Sequence, residues 1–211
     1  MKILAISDLH IGDGSKADDF GHRGRDHQFI SWVKSFKADM IIVVGDLYEL
    51  WQFKSQAIRN AHYILVKYIE NNCYHIRGNH DYQLMGPLSK KITTKSGKKI
   101  LFSHGFQNDK MMTSPFTRLA IWGITWLERI LPWIDNDNSY KKNRKKSRIQ
   151  KYTKRYADKM LKRYDIVVCG HTHRQGVTSK DGKVYANCGT CVNHRQEGIL
   201  INTLTDTVIP V

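Results

Sequence analysis

The sequence predicts a layered α/β fold, and three features support this prediction. Short runs rich in isoleucine, valine and leucine, such as Lys2–Ile6 and Met40–Val44, are typical of strands buried inside a covered sheet. The segments between these runs carry apolar residues at helical spacing. Toward the C-terminus short strands follow one another closely, with a hairpin turn Lys-Asp-Gly-Lys at residues 180–183. Strands that alternate with helices and then give way to a β-rich end indicate sheets covered by helices.

The remaining elements follow from the same patterns in chain order. Phe29, Ile30, Val33 and Phe36 fall at helical spacing, and a second helical pattern covers residues 57–69. We expect the last strands of the chain to form an antiparallel end. The later apolar runs predict strands at residues 73–77 and 100–103, at Ile166–Cys169, at residues 184–188, at Gly198–Asn202 and at Thr207–Pro210.

The composition is that of one globular domain spanning residues 1–211. Hydrophobic side chains make up 41% of the chain and aromatic ones 10%, with only 4 prolines, which excludes a disordered or collagen-like chain. The net charge of +15 is concentrated, because residues 141–163 contain twelve Lys or Arg and one acid. That block carries +11, so the rest of the chain has the modest charge of an ordinary soluble domain.

Residues 113–163 interrupt the alternation of strands and helices with a pattern that is helical throughout. The first half has an apolar stripe that contains Trp122, Trp126 and Trp133, and the second half is the basic block. We therefore expect a helical insertion within the α/β domain. Tryptophans and clustered cations are typical of contact with an anionic membrane surface, although they also occur in helices that pack on a core and are solvated outside.

The four cysteines, Cys73, Cys169, Cys188 and Cys191, do not form the pattern of a secreted disulfide framework. Cys188 and Cys191 have C-x-x-C spacing, but no second such pair completes a zinc site. The first apolar run is too short for a signal peptide, and no run approaches the roughly 18 residues of a membrane span. The expected location is the cytoplasm, with peripheral contact at the inner membrane surface through residues 113–163.

Polar motifs directly follow five of the predicted strands. Ligands bind at the carboxyl ends of strands in open α/β sheets, so these side chains can converge on one site. Aspartate, asparagine and histidine suit Mn, Fe, Zn or Ni rather than calcium, and a shared carboxylate can hold two ions roughly 3.5–4 Å apart. Each motif alone also occurs in ordinary turns, but five in this order are hard to obtain by chance. The motifs are Asp8-Leu-His10, Gly45-Asp46, Gly78-Asn79-His80-Asp81, Ser103-His104-Gly105 and Gly170-His171-Thr-His173.

Together these motifs resemble the signature of the calcineurin-like metallophosphoesterases, which is Asp-x-His, Gly-Asp, Gly-Asn-His-Asp/Glu, a later His and Gly-His-x-His. The resemblance spans residues 8–173 and implies a four-layer α/β/β/α sandwich with a dinuclear metal site. It also implies that His80 lies near the phosphoryl oxygen or the leaving group and that Asp81 orients it. The metal ligands that it implies are Asp8, His10 and His173 for one ion, Asn79, His104 and His171 for the other, and Asp46 as the bridge.

The reaction that the resemblance implies is hydrolysis of a phosphodiester or pyrophosphate bond by a metal-bound hydroxide, without a covalent phosphoenzyme. The chemistry of the residues agrees, because water held by divalent cations loses a proton near neutral pH and the cations neutralise the phosphoryl oxygens. His80 could protonate the leaving oxygen, since histidine exchanges protons near neutrality. Two divalent ions are expected as cofactors, manganese first, with iron, zinc and nickel as alternatives.

A second resemblance concerns the substrate. Residues 45–51, Gly-Asp-Leu-Tyr-Glu-Leu-Trp, resemble the Gly-Asp-Leu-Phe-Glu-x-Trp stretch of bacterial UDP-2,3-diacylglucosamine pyrophosphohydrolases, which also carry a helical insertion that forms a lid over the acyl chains. This resemblance implies a UDP-2,3-diacylglucosamine-like nucleotide-lipid as the substrate and a role in lipid A biosynthesis. The chain departs from that pattern at His80, where those hydrolases commonly have arginine.

The sequence leaves other functions open. A nuclease or nucleotide phosphodiesterase would use the basic block to hold a phosphate backbone, and a phosphomonoester or protein phosphatase would use the same motifs. A binding module without activity would need a degraded ligand set, whereas every expected ligand is present. Arg174 and Asn108 are candidate substrate-binding residues, and Asp13 and Glu49 are candidate partners of the histidines. The expected partner is an anionic, amphiphilic phosphate compound, and no protein partner is predicted.

Overall fold

The computed structural model describes residues 1–21, 24–108 and 139–211. Ten strands and four α-helices occur in these ranges, with a 3₁₀ turn at Phe106–Asn108. The strands are β1 (Lys2–Ile6), β2 (Met40–Val44), β3 (Cys73–Ile76), β4 (Lys90–Thr93), β5 (Lys99–Phe102), β6 (Ile166–Cys169), β7 (Gly176–Lys180), β8 (Lys183–Asn187), β9 (Gly198–Asn202) and β10 (Thr207–Pro210). The helices are α1 (Gly24–Ser35), α2 (Ser55–Ala61), α3 (Tyr63–Asn72) and α4 (Ser139–Leu161).

The described strands form two mixed sheets, in the orders β10-β9-β1-β2-β3 and β4-β5-β6-β8-β7. In the first sheet β1, β2 and β3 are parallel, and β9 and β10 continue the sheet as antiparallel strands. In the second sheet β5, β6 and β8 are parallel, and β4 and β7 are antiparallel edges. The loops that follow the parallel strands therefore leave each sheet at its carboxyl edge, where the polar motifs lie.

The two sheets pack face to face because alternate residues of each strand point to opposite sides. In β1, Ile3 and Ala5 belong to the apolar layer between the sheets, whereas Leu4 and Ile6 belong to the layer under the helices. Phe102 of β5 is fully buried in the same inner layer. The alternation gives each sheet two buried faces, one for the other sheet and one for helices.

Helices cover the outer face of each sheet. Phe29 of α1 and Leu65 of α3 pack on the first sheet, in one cluster with Leu4 of β1. Tyr156 of α4 packs on the second sheet against Val167 of β6. The result is the four-layer α/β/β/α sandwich, so the predicted fold class is confirmed.

Helix α4 coincides with most of the basic block, but the rest of the predicted insertion lies outside the described residues. The apolar stripe with Trp122, Trp126 and Trp133 falls within residues 109–138, to which the description does not extend. The insertion at 113–163 and its action as a lid stay predictions. Within the described ranges, no helix combines the length and apolar character that crossing a bilayer requires.

The predicted antiparallel end is confirmed for β9 and β10, which pair antiparallel, but β8 does not join them. β8 lies in the second sheet and β9 in the first, so the chain crosses between sheets after β8. The turn at residues 180–183 does join an antiparallel hairpin, which β7 and β8 form. The sequence does not predict β4 and β7 because they are edge strands, and exposed residues such as Lys91 and Thr178 give them no continuous apolar run.

Candidate metal centre

Seven of the motif side chains converge where β1, β2, β3, β5 and β6 end. They form three overlapping groups, in each of which one nitrogen or oxygen atom per side chain lies within 4.8 Å of the others. His10 and Asp46 each belong to two groups, so the groups join into one cluster. Asn79 is buried and directly precedes His80. The groups are Asp8, His10 and His173; His10, Asp46 and His80; and Asp46, His104 and His171.

The turns that present these side chains have an unusual backbone. Asp8, His10, Asp46, His171 and His173 all adopt the left-handed conformation, with φ of 54°, 47°, 52°, 71° and 53°. This conformation costs a non-glycine residue on the order of 1–3 kcal/mol, and such costs concentrate at functional sites. The tight turns after β1, β2 and β6 are therefore strained, and each directs its side chains into the same cluster.

Two glycines of the motifs are needed because other chain segments approach them closely. A side chain at Gly78 would collide with the carboxylate and backbone nitrogen of Asp46. A side chain at Gly45, where φ is 88°, would collide with the ring of His104. The glycines therefore allow the loops after β2, β3 and β5 to approach one another until their polar side chains meet.

Asp8 divides its two carboxylate oxygens between the backbone and the cluster. Its Oδ2 accepts hydrogen bonds from Ser7 Oγ at 2.6 Å and from the backbone nitrogen of His171 at 2.9 Å. Its Oδ1 lies 3.2 Å from Nε2 of His173 and 3.8 Å from Nε2 of His10. The first oxygen fixes the side chain, and the second faces the imidazoles.

Asp46 is arranged in the same way at the centre of the cluster. Its Oδ1 accepts a hydrogen bond from the backbone nitrogen of His80 at 2.9 Å. Its Oδ2 lies 3.0 Å from Nε2 of His104 and 3.8 Å from Nε2 of His10. One oxygen thus faces imidazoles from two different loops, as a bridging ligand must.

Hydrogen bonds donated by Nδ1 orient two of the histidines. Nδ1 of His104 lies 2.8 Å from the carbonyl oxygen of Val44, and Nδ1 of His10 lies 2.8 Å from Oε2 of Glu49. Because a carbonyl or an ionised carboxylate can only accept, Nδ1 carries the hydrogen in both rings. In the neutral ring this leaves the lone pair on Nε2, directed to the cluster, as metal-bound histidines require.

Several buried atoms of the cluster have no hydrogen-bond partner among the described residues. They are Oδ1 of Asp8 and Nε2 of His10, His104 and His171. Buried polar atoms without partners are rare and costly, and a cation coordinated by all of them removes the cost. The donor set of carboxylate oxygens and imidazole nitrogens therefore fits divalent ions of the Mn, Fe, Zn or Ni type.

The titration of the cluster also favours a cation. Burial lowers the pKa of His104, but the carboxylates of Asp46 and Asp8 outweigh it and raise the pKa to about 9. Burial and the neighbouring charge of His104 lower the pKa of His171 to about 3. Burial raises the pKa of Asp46, but the charges of His104 and His80 dominate and hold it far below its usual range. Two ionised aspartates thus attract positive charge, which protons supply when metal is absent.

Glu49 is the carboxylate that joins His10 to His80. Its Oε2 lies 2.8 Å from Nδ1 of His10 and 2.6 Å from Nδ1 of His80. Burial raises its pKa, but the charge of His80 and hydrogen bonds from both rings lower it to about 2, so Glu49 is ionised. The sequence indicated Glu49 only as an acid near the cluster. Its place three residues after Asp46 in the Gly-Asp-Leu-Tyr-Glu stretch was the available signal.

The prediction that Asp81 orients His80 is wrong. The carboxylate of Asp81 accepts from the backbone nitrogens of Gly78 at 2.6 Å and Leu47 at 2.8 Å, and it contacts Nε2 of His75 at 2.9 Å. Asp81 therefore ties the loop after β3 to the loop after β2. The error arises because sequence adjacency to His80 says nothing about the direction of the Asp81 side chain.

Residues around the cluster form a mixed aromatic and polar rim. Trp51 stacks on His80, with ring centroids 3.6 Å apart and 28° between the planes. Arg174 is exposed, and its Nε and Nη1 lie 2.8 and 3.0 Å from the amide oxygen of Gln150 when that oxygen faces the guanidinium. Asn108 ends the 3₁₀ turn and is half-buried. Arg174 thus contacts α4, which brings the basic helix beside the loop that carries His173.

Residues 1–175 match the family model described as calcineurin-like phosphoesterase. The match covers most of the chain, and the fold and the convergent ligand set agree with it. The protein therefore belongs to the calcineurin-like phosphoesterases and is a metal-dependent hydrolase of phosphate esters. Divalent metals are implied by the family and fit the cluster of side chains.

Individual relatives are more distant. The UDP-2,3-diacylglucosamine hydrolase of Vibrio atlanticus (strain LGP32) is 25% identical over 214 residues, which covers 85% of this chain and 83% of the relative. A single-residue variant of Vps29 from Entamoeba histolytica is 16% identical, with a TM-score of 0.52 over 96% of this chain and 86% of that one. The wild-type Vps29 complexed with Zn²⁺ is also 16% identical, with a TM-score of 0.51 over 100% and 97%. These two structures are similar in fold.

Proposed function

We propose that this phosphoesterase hydrolyses the pyrophosphate bond of a UDP-2,3-diacylglucosamine-like nucleotide-lipid at a dinuclear centre. The observation that carries the proposal is the convergence of two ionised aspartates and unpartnered imidazoles at the ends of the strands. The substrate class is supported by the Vibrio relative and by residues 45–51, which lead from Asp46 to Trp51. A role in lipid A biosynthesis is the pathway that this substrate implies.

The proposed ligands divide into two sets that share Asp46. Asp8, His10 and His173 hold one ion, and Asn79, His104 and His171 hold the other. Bound divalent ions supply positive charge for the phosphoryl oxygens and activate water as a nucleophile at neutral pH. Manganese is the first candidate because carboxylate oxygens suit it, and iron, zinc and nickel are alternatives because imidazoles suit them.

His80 is the proposed general acid. Glu49 holds its Nδ1, which leaves the other ring nitrogen to give a proton to the leaving oxygen. The stacked ring of Trp51 fixes the orientation of the imidazole and shields one of its faces from water. Arg174 is the proposed contact for a second phosphate, since a guanidinium binds phosphate oxygens through two parallel hydrogen bonds. Asn108 is the second proposed substrate contact.

The test is a hydrolysis panel on protein loaded with Mn²⁺. We expect release of UMP and a lipid phosphate from UDP-2,3-diacylglucosamine, and a loss of at least a thousandfold in the Asp46→Asn variant. Asp13→Asn is the matched control, because Asp13 is a partly exposed acid in the loop after β1 whose carboxylate accepts a hydrogen bond from the backbone nitrogen of Ser15. Turnover of single-stranded DNA or p-nitrophenyl phosphate without turnover of the lipid would refute the proposed substrate class and favour a nuclease or a phosphatase.

The proposed location is the cytoplasmic face of the inner membrane, reached through α4. Arg148, Lys151, Arg155 and Lys159 are exposed and spaced three and four residues apart, so they share one face of the helix. Each cation near an anionic bilayer surface contributes about 1 kcal/mol of attraction. The contact of Gln150 with Arg174 holds α4 beside the loop that carries His173.

Vesicle sedimentation tests the membrane contact. We expect binding to phosphatidylglycerol vesicles, none to phosphatidylcholine vesicles, and loss of binding when Lys151, Arg155 and Lys159 become glutamate. The matched control reverses three exposed lysines elsewhere, Lys16, Lys95 and Lys180, and keeps the same net charge. Equal loss in both triple variants would show a nonspecific charge effect and refute a contact through α4.

A further inference from the structure

A second buried cluster of charged residues lies outside the metal centre, between the helices and the loop that follows His10. Its centre is His62, which joins α2 to α3 and is completely buried. Nδ1 of His62 lies 2.7 Å from Oδ1 of Asp26 on α1, and Nε2 lies 2.9 Å from Oδ2 of Asp18 in the loop. Asp18 and Asp26 are buried as well.

Between two ionised carboxylates, His62 is protonated on both ring nitrogens. An ionised carboxylate only accepts hydrogen bonds, so each nitrogen that faces one must donate. The charged groups around the ring are Asp26 and Arg25 from α1 and Asp18 from the loop, with Arg25 close enough to Asp18 to interact with its charge. Burial lowers the pKa of His62, but the hydrogen bonds and charges of Asp18 and Asp26 outweigh it and raise the pKa to about 9.

Asp18 uses its carboxylate to organise the loop. Its oxygens accept hydrogen bonds from the backbone nitrogens of Gly12 at 3.0 Å, Gly14 at 2.8 Å and Phe20 at 2.9 Å. One side chain therefore sets the path of residues 12–21, and His62 sets the position of that side chain. The loop begins only two residues after His10.

The backbone before the loop is continuous with the metal centre. Ile11 bridges to Tyr48, and its carbonyl accepts from the nitrogen of Glu49 at 3.1 Å. The nitrogen of His10 donates to the carbonyl of Asp46 at 3.1 Å. A shift of Gly12 would therefore move the strand end that carries His10 against the loop that carries Asp46 and Glu49.

A second buried cation, Arg25, holds the other side of the same loop. Its guanidinium donates to the carbonyls of Phe20, Cys191 and Arg195. The backbone nitrogen of Cys191 in turn donates to the carbonyl of Asp8 at 3.1 Å. Helix α1 is thus connected to the proposed ligands that follow β1 by two chains of contacts. One leads from Asp26 through His62, and the other from Arg25 through Cys191.

We propose that protonated His62 is a positioning residue for the metal centre, which acts by holding Asp18 and thereby the backbone of residues 8–21. It touches neither metal nor substrate, and its effect passes through the loop. The inference rests on the proposed assignment of Asp8 and His10 as metal ligands.

The test compares wild-type protein with His62→Gln and with the matched control His27→Gln, which changes an exposed histidine on α1. Glutamine can hydrogen-bond one carboxylate but cannot carry the charge. In metal-free protein we expect hydrogen exchange of residues 12–21 to rise at least tenfold in His62→Gln while exchange in β2 and β9 changes less than twofold. We also expect the Kd for Mn²⁺, measured by calorimetry, to rise about tenfold. If His62→Gln does not fold, Asp26→Asn replaces it as the test variant. This milder change should shift both quantities in the same direction.

Nitrogen chemical shifts of the His62 ring report its protonation state directly, independently of how the variants affect folding. At pH 7.5 both ring nitrogens of the wild type should show the shifts of an imidazolium. A neutral ring would overturn the proposal, as would exchange that rises equally throughout the chain or a Kd equal to that of His27→Gln. Failure of the metal centre itself is distinguishable, because the wild-type protein would then bind no Mn²⁺.

Discussion

The carboxylate of Glu49 offers the sharpest test of how the metal centre works. One oxygen, Oε2, contacts Nδ1 of both His10 and His80, so a single charge orients a proposed metal ligand and the proposed general acid. Glu49→Gln keeps an oxygen in this place and removes only the charge. The variant therefore separates electrostatics from geometry.

The size of the effect follows from the two contacts. A hydrogen bond to a charged group contributes about 1.5–3 kcal/mol and a neutral one about 0.5–1.5 kcal/mol, so each bond loses about 1 kcal/mol. The hydrogen bond from His10 loses about 1 kcal/mol, and the ion pair with His80 at 2.6 Å loses a similar amount, so the total of about 2 kcal/mol is roughly 30-fold in an equilibrium or a rate. Outer partners of metal-bound histidines typically contribute 10–100-fold, which brackets this value. Glu49→Ala leaves both buried Nδ1 atoms without an acceptor and should lose more than 100-fold.

The assay measures the Kd for Mn²⁺ by calorimetry and kcat/KM for bis-p-nitrophenyl phosphate on the same preparations. The matched control is Glu70→Gln, since Glu70 is an exposed acid paired with Arg59 on the surface, and it should stay within twofold of wild type. If Glu49→Gln behaved like Glu70→Gln in both quantities, the charge of Glu49 would have no part in metal binding or catalysis. Thermal unfolding of each variant separates this effect from a loss of stability.

Three further predictions concern the strand ends and the buried histidines. Gly78→Ala should abolish activity, because the added methyl group meets the carboxylate of Asp46; the bis-p-nitrophenyl phosphate assay checks this, and retained activity would contradict the close approach. Mn²⁺ binding should release about two protons, because the pKa of His104 is raised to about 9 and the pKa of His10 is raised well above its usual range, both by neighbouring carboxylates that outweigh burial. Affinity should therefore increase about a hundredfold per pH unit between pH 6 and 8, and calorimetry in buffers of different ionisation enthalpy counts the protons. The raised pKa of His62 stabilises the fold fully below about pH 6.5, and this contribution is lost as the pH rises through about 9. This contribution to the free energy of unfolding should amount to about 3 kcal/mol. In urea unfolding, wild type should be more stable than His62→Gln by about this amount at pH 6 and should lose this advantage at pH 10.

Much of the fold was predictable because it depends on local patterns. The runs of β2 and β6, and of β1 from Ile3 onward, are apolar at every position because both of their faces are covered, and such runs are visible without any partner. The edge strands β4 and β7 are polar and exposed, so only pairing with a neighbour makes them strands. The separation of β8 and β9 into different sheets was also not predictable, because both are apolar runs of the same kind.

The sequence by itself determined which chemical groups gather at the strand ends. Asp8, Asp46 and His104 each directly follow a strand or lie within two residues of its end, and this spacing is local. Only the tertiary structure decided that Glu49 rather than Asp81 faces His80, and that His62 lies between Asp18 and Asp26. These contacts join residues 31, 44 and 36 positions apart, and no local pattern encodes them. They depend on which loops the two sheets bring side by side and on how the left-handed turns direct each side chain.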